Sequence, residues 1–280
     1  MDTEYLFIDA GYLRKVFHST MGKLFGVQGS IDLLALKKWC HTGEESEISR
    51  VFYYDCIDEI QGPNENDSDF RARLANQTAN IREIQRLGGF FVRLGTLSGR
   101  KPGHLRQKEI DALLAVDMLE NAFRRNMQTA WLLAGDRDFT PIVESLVHSG
   151  VYVKVLYEPR SASTVLFEAA DYAIPLNVDT LHSWASTSFR AAHHKPDVRA
   201  VPGHPDLTPR TIIASGQAGN KNIAIWSQHA GLFTAAVERE ESTYLYDCAE
   251  RSVLDAYIEL RDGEISWNTA NRLSSNNKNA

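Results

Sequence analysis

Three cysteines in 280 residues, Cys40, Cys56 and Cys248, are too few and too far apart for a disulfide framework, and no spacing among them matches a zinc motif. They read as reduced, structural residues. Long apolar runs are missing as well. No stretch approaches the roughly 20 residues that cross a bilayer, and the amino terminus, MDTEYLFIDA, is acidic where a secretory leader is basic. The expected location is the cytoplasm, without membrane contact. An excess of positive charge is also lacking: 30 Lys and Arg stand against 36 Asp and Glu, a net charge of -6 at pH 7. That excludes a protein that coats nucleic acid indiscriminately and leaves a local basic patch as the route to such a ligand. No internal repeat is visible. What is present, 43% hydrophobic and 24% charged residues, is the composition of an ordinary globular protein.

Strand and helix patterns alternate from the start. Tyr5 to Ile8 is short, aromatic and β-branched and ends in Asp9-Ala10-Gly11, a buried first strand. Ile31 to Cys40 has helical spacing, and Arg50 to Asp55 (RVFYYD) is a second strand that also ends in an acid. A polar, then amphipathic, helix follows over Asn64 to Leu87 and stops at Gly88-Gly89. Phe90 to Leu94 is a third strand. The loop Thr96 to Gln107 carries Arg100, Lys101, His104 and Arg106 and is the most basic loop in the chain. It leads into a helix bearing Lys108, Asp111 and Asp117. The strand Ala130 to Ala134 then runs into Gly135-Asp136-Arg137-Asp138-Phe139. Further patterns give a helix over Thr140 to Ser149, a strand over Tyr152 to Leu156, a helix over Ser163 to Ala170 and an edge strand over Tyr172 to Leu176 that includes Pro175. Such alternation specifies a three-layer α/β/α sandwich around a central parallel sheet. It fills residues 1–185. The proline-broken stretch 186–210 reads as a linker, 211–273 as a small carboxyl-terminal segment of unassigned fold, and 274–280 as a disordered tail.

Acids at strand ends carry the functional reading. In open parallel sheets ligands bind outside the carboxyl ends of the strands, where strand order reverses. If the strands ending in Asp9 and Asp136 are neighbours, both carboxylates meet at that rim, with Asp138 and the start of the Asp111 helix close by. Each like-charge pair about 4 Å apart costs roughly 4 kcal/mol at an effective dielectric of 20, so the cluster requires a cation or bound protons. All-oxygen ligation selects Mg2+ or Mn2+. Each acid also has an ordinary role available as a cap or turn former.

Asp117 lies about 9 Å further along its helix than Asp111 and about 120° around it, which puts it in an outer or second-ion position. It shares an apolar stripe with Ile110, Leu113 and Leu114, where a charge needs a partner. Lys108 precedes Asp111 by three residues and is placed either to neutralise the acids or hold a phosphate, or simply to stand as a solvated lysine at the helix start. Asp55 is a weaker candidate beside the first strand. Arg160 and Ser163 open a helix after a strand, a place where amides can bind phosphate, although simple helix capping is the better explanation of this run. Arg100, Lys101 and Arg106 lie on the side of the acids and are positioned for substrate backbone.

The pieces FIDAGYL around Asp9, VFYYD around Asp55, KEIDALLAVDML from Lys108, WLLAGDRDF from Trp131 and AADYAIPL from Ala169 resemble, in order, the NYN domain, a PIN-like nuclease group, and its bacterial LabA-like branch in particular. The resemblance spans Tyr5 to about Asn177. It implies a PIN-like Rossmannoid fold and Mg2+-dependent cleavage of RNA, with Asp9, Asp111, Asp136 and Asp138 as metal-site acids and Asp117 as a further acid of the pattern. One departure is Tyr12, where many members of the group have Asn.

Three functions compete. A ribonuclease would use one or two carboxylate-held ions to activate water on a phosphodiester. A non-catalytic RNA-binding or regulatory module would keep the fold without the chemistry. A haloacid-dehalogenase-like phosphatase would want a second acid two residues after Asp9, where the chain has Gly11. A homo-oligomer is compatible with all three.

Overall fold

The computed structural model describes residues 2–41, 46–98, 106–108, 110–207, 210–228 and 231–268. The chain divides into two compact units, one of residues 1–16 and 33–176, the other of 17–32 and 177–280.

The first unit contains β1 (Asp2–Asp9), the first half of α1 (Ala10–Phe25), α2 (Leu33–Cys40), β2 (Ser46–Cys56), α3 (Asp67–Gln85), β3 (Phe90–Ser98) and β4 (Arg106–Lys108). It continues with α4 (Ile110–Phe123), β5 (Thr129–Leu133), α5 (Thr140–His148), β6 (Tyr152–Tyr157), α6 (Thr164–Glu168) and β7 (Tyr172–Pro175). The sheet has the order β4-β3-β2-β1-β5-β6-β7. Six strands run parallel, and β4 alone returns antiparallel on β3. Alternation along β1 decides both faces. Tyr5 and Phe7 join Phe52, Leu132, Val153 and Val155 in a core closed by Ile110, Leu114 and Met118 of α4, Val143 and Leu146 of α5 and Leu166 of α6. Leu6 and Ile8 are buried on the opposite face with Val51 and Trp131. There Glu4 accepts the Trp131 indole N–H at 2.6 Å. The charges of Glu4 and Lys154 both act on Cys40 at the end of α2, which places that helix over this face. These are the two helical layers of an α/β/α sandwich.

A helix, α1, follows β1 directly where the sequence pattern shows only a strand ending in Asp9-Ala10-Gly11. The helix forms because Leu13, Val16, Phe17, Met21 and Leu24, spaced three or four apart, are all buried. The loop read over 96–107 is in part a hairpin: β3 runs three residues past its last pairing with β2 at Gly95 and pairs there with β4, Thr96 opposite Lys108 and Ser98 opposite Arg106. Pro175 does lie in an edge strand, β7.

The second unit contains the rest of α1, then α7 (Val178–Ser183), α8 (Thr187–Ala192), β8 (Asp197–Pro202), β9 (Ile212–Ala218), β10 (Lys221–Ser227), β11 (Phe233–Arg239), β12 (Ser242–Cys248), α9 (Arg251–Asp262) and β13 (Ile265–Trp267). Its sheet is antiparallel, in the order β13-β9-β10-β11-β12-β8. Val253, Leu254, Tyr257 and Ile258 of α9 pack on one face against Ile223, Ile225, Ala235, Val237 and Tyr246. The stretch expected as a linker over 186–210 instead holds α8 and β8. Its prolines do not break the strand, because Pro196 precedes it and Pro202 ends it, and β8 is an edge strand on β12. The expected tail, 274–280, lies outside the described residues.

Candidate active site

Strand order reverses at β1. The chain moves outward through β2 and β3 on one side, then returns to place β5, β6 and β7 on the other. Ile8 of β1 pairs with Leu133 of β5, so Asp9 and Asp136 leave adjacent strands one and three residues past that pair. Both therefore stand at the ends of the two strands that flank the switch point of the sheet.

Each is oriented by the backbone that follows it. Asp9 Oδ1 accepts the Tyr12 N–H at 3.0 Å across the first turn of α1. Asp136 caps the 3-10 turn Arg137–Phe139, its Oδ1 accepting the Asp138 N–H at 3.0 Å. Capping is thus a real role of both residues, and it fixes the carboxylates rather than replacing a chemical one. Asp111 lies in the first turn of α4. Its approach depends on Gly95 of β3, since a β-carbon there would stand 2.9 Å from Ile110 Cβ. Burial, and then the charges of Asp9, Asp136 and Asp138, push the Asp111 carboxyl up to about 6. Burial likewise raises Asp9, against the N–H groups of Tyr12 and Gly11 and the Arg14 charge, with Asp55 adding repulsion. Four acids from three separate segments therefore share one field.

A second ring of contacts surrounds them. Tyr12, at the Asn position of the resemblance, lies against Gly135, and the Glu158 N–H donates to its hydroxyl at 2.8 Å. Arg14 holds both oxygens of Asp55, with Nη1 to Oδ2 at 2.6 Å and Nη2 to Oδ1 at 2.7 Å. Asp117 has the partner its apolar stripe required. Arg93 reaches it through Nε to Oδ2 at 2.8 Å and Nη2 to Oδ1 at 2.9 Å, and the Tyr54 hydroxyl donates to Oδ2 at 2.9 Å. With both oxygens taken, Asp117 is a buried brace between β2, β3 and α4 rather than an ion ligand in this arrangement. Arg160 and Ser163 also have partners other than phosphate. Arg160 Nε pairs with Glu158 Oε1 at 2.8 Å, and the Ser163 N–H donates to the Gly135 carbonyl at 3.0 Å. Arg106 and Lys108 belong to β4, while Arg100, Lys101 and His104 lie outside the described residues. The sequence pattern did not single out Arg14 or Arg93; the helical spacing of Leu13, Val16, Phe17 and Met21 would have put Arg14 on a helix after Asp9, but nothing short of the strand register points to Arg93.

A family model, the NYN domain, matches residues 6–177. The chain belongs to the NYN domain family. The match covers the whole of the parallel sheet from Leu6 of β1 to the end of β7 and includes each acid of the rim. The NYN family is nuclease-like, and its domain points to RNA as substrate. No curated protein matches the chain. One solved structure, a protein of unknown function from Vibrio parahaemolyticus RIMD 2210633, is 19% identical with a TM-score of 0.45, over 63% of this chain and 93% of that one. A likeness at that level carries no argument.

PIN-like nucleases of this kind work with divalent metals. Among the described residues, no three His, Cys, Asp or Glu side chains form a group that could enclose an ion as they stand. The donor set of this NYN domain nonetheless fits a hard cation in its chemistry: every group is a carboxylate, and their mutual repulsion, visible at Asp111, is what a cation relieves. No helix among the described residues is long and apolar enough to cross a membrane.

Proposed function

We propose that this NYN protein, of the LabA-like branch, is a ribonuclease that hydrolyses phosphodiester bonds of cytoplasmic RNA at the rim formed by Asp9, Asp111, Asp136 and Asp138. What supports the proposal is the placement of these acids at the end of β1, the start of α4 and the end of β5, beside the switch point of the sheet, with the Asp111 carboxyl raised by burial and then by the charges of Asp9, Asp136 and Asp138. They would hold Mg2+ or Mn2+, which when bound supplies positive charge beside the phosphate and lowers the pKa of a water for in-line attack. The chain's own part is orientation and access. The caps at Tyr12 and Asp138 hold Asp9 and Asp136 with one oxygen each. Asp111, Asp136 and Asp138 are exposed, so a polymer can pass over them without entering a cavity. Arg106 and Lys108 of β4, which pairs with β3 beyond the pairing of β3 with β2, would position the backbone together with Arg100 and Lys101, which lie outside the described residues.

A second reading is a non-catalytic RNA-binding module, favoured by Tyr12 at the Asn position and by acids that do not stand as a ready-made ion cage. Incubation of labelled single-stranded and structured RNA with the full chain in Mg2+, Mn2+ or EDTA separates the two. Cleavage that requires a divalent ion is the expected result; binding without cleavage in either ion favours the module.

A further inference from the structure

Asp9 ends β1, and Asp55 is the next-to-last residue of the adjoining β2. Asp9 pairs in register with Tyr54, so Asp55 is the next residue along β2. The Asp55 side chain is 10% exposed, and a buried carboxylate beside a second one normally demands a cation between them. One is built into the chain. Arg14, five residues after Asp9 on α1, lays both terminal nitrogens on both oxygens of Asp55 at 2.6 and 2.7 Å and reaches the Tyr53 hydroxyl at 3.3 Å. The Cys56 N–H completes the shell on Asp55 Oδ1 at 2.8 Å. This ion pair sits within the field of the rim: Asp9 responds to both Arg14 and Asp55, and the Cys56 thiol, pushed up to about 11 by burial and then by Asp55, also responds to Arg14, Asp9 and Asp111.

We propose that the Arg14 guanidinium, bound to Asp55, takes the place of a second cation on the β2 side of Asp9, so that the acidic rim takes one divalent ion and not two. The inference rests on the reading that the rim binds a divalent ion. Two-ion sites hold their metals about 3.5–4 Å apart, with acids on both sides. Here the acid on the β2 side is already neutralised by a group that does not lose its proton. The planar fork matches the carboxylate bidentately, which a hydrated lysine would not do. Arg14 is thus a positioning residue: it assigns Asp55 to the protein and leaves Asp9, Asp111, Asp136 and Asp138 to the ion.

The test counts Mn2+ bound per full-length chain, by electron paramagnetic resonance of free Mn2+ or by equilibrium dialysis. Wild type is expected to bind one at the rim, Arg14→Met two, and Arg14→Met/Asp55→Asn one again. A merely structural Arg14 would lower stability without changing the count. Wild type binding two or none, or a folded Arg14→Met that still binds one, overturns the proposal. Should Arg14→Met fold only with Mn2+, its melting temperature is expected to climb with Mn2+ concentration; a variant still unfolded in saturating Mn2+ also overturns it. No cleavage is read, so a chain that fails to cut RNA would remove the ribonuclease reading while the ion count stands.

Discussion

The Tyr12 ring lies so close to Gly135 that a β-carbon on that glycine would stand 2.3 Å from Tyr12 Cε2. The contact ties the first turn of α1 to the end of β5, and the Tyr12 hydroxyl ties both to Glu158 after β6. Gly135→Ala is expected to lose about 1–3 kcal/mol of stability, the cost of overpacking a filled site. Tyr12→Ala should recover part of that loss when combined with it, because the ring is what the new methyl meets. Denaturant unfolding of the two single variants and the double variant reads the coupling, and additive losses would show that the ring and the glycine are independent.

Asp117 is expected to matter for stability and not for the ion. Asp117→Asn leaves Arg93 without its counter-charge. The loss should be about 2–3 kcal/mol, less than the about 3–5 of a fully buried pair, because the Arg93 side chain is 47% exposed. Mn2+ affinity should be unchanged. A folded Asp117→Asn variant with Mn2+ binding weakened tenfold would return Asp117 to the ligand set.

The raised Asp111 carboxyl sets a pH dependence of definite sign. Its folded value of about 6 lies above the ordinary 3.8, so the metal-free folded protein holds more protons than the unfolded chain between these values. The stability this group contributes is present below the lower value and lost as pH rises through the upper one. Relative to Asp111→Asn, the metal-free wild type should therefore melt progressively lower as pH rises from about 4 to about 7. Glu65, lowered to about 2 by Arg73, acts in the opposite sense but in a lower window. Divalent binding must displace the Asp111 proton, so Mn2+ affinity should rise across the same range. Parallel melting curves for wild type and variant would contradict this account.

The parallel sheet was legible because each of its strands is a short apolar run that ends at an acid, glycine or proline, and the acids could be placed because strand ends and sheet rims coincide. The helix α1 was not legible for a local reason: Asp9-Ala10-Gly11 mimics a turn at the end of a strand, and losing that helix also hid Arg14. The partner of Asp117 was hidden differently. Arg93 comes from a strand 24 residues away, and only the pairing of Phe91 with Phe52 and of Arg93 with Tyr54 shows that both flank the same helix. In the second unit Pro196, Pro202 and two adjacent histidines imitated a linker, although an edge strand tolerates proline at its ends.

The basic stretch 100–108 is expected to contact substrate backbone without reading sequence. Replacing Arg100, Lys101 and Arg106 by Ala should weaken binding similarly for unrelated RNAs. It should also lower the salt dependence by about 0.7 per lost phosphate contact on single strands. Mn2+ affinity should not move, since the carboxylates are untouched. A salt titration of RNA affinity without divalent ions reads the slope, and an unaltered slope would make this stretch solvated surface.

The most direct measurement is RNA cleavage by Asp136→Asn against wild type in saturating Mg2+. Asn keeps the Oδ1 that accepts the Asp138 N–H, and it is as good a cap as Asp, so the turn after β5 should survive. What is lost is one negative charge of the four at the rim. A variant as stable as wild type, or slightly more stable without metal, that cleaves labelled RNA at least a hundredfold more slowly is the predicted result. Unchanged turnover in a folded Asp136→Asn variant would contradict a cation-dependent active site at this rim.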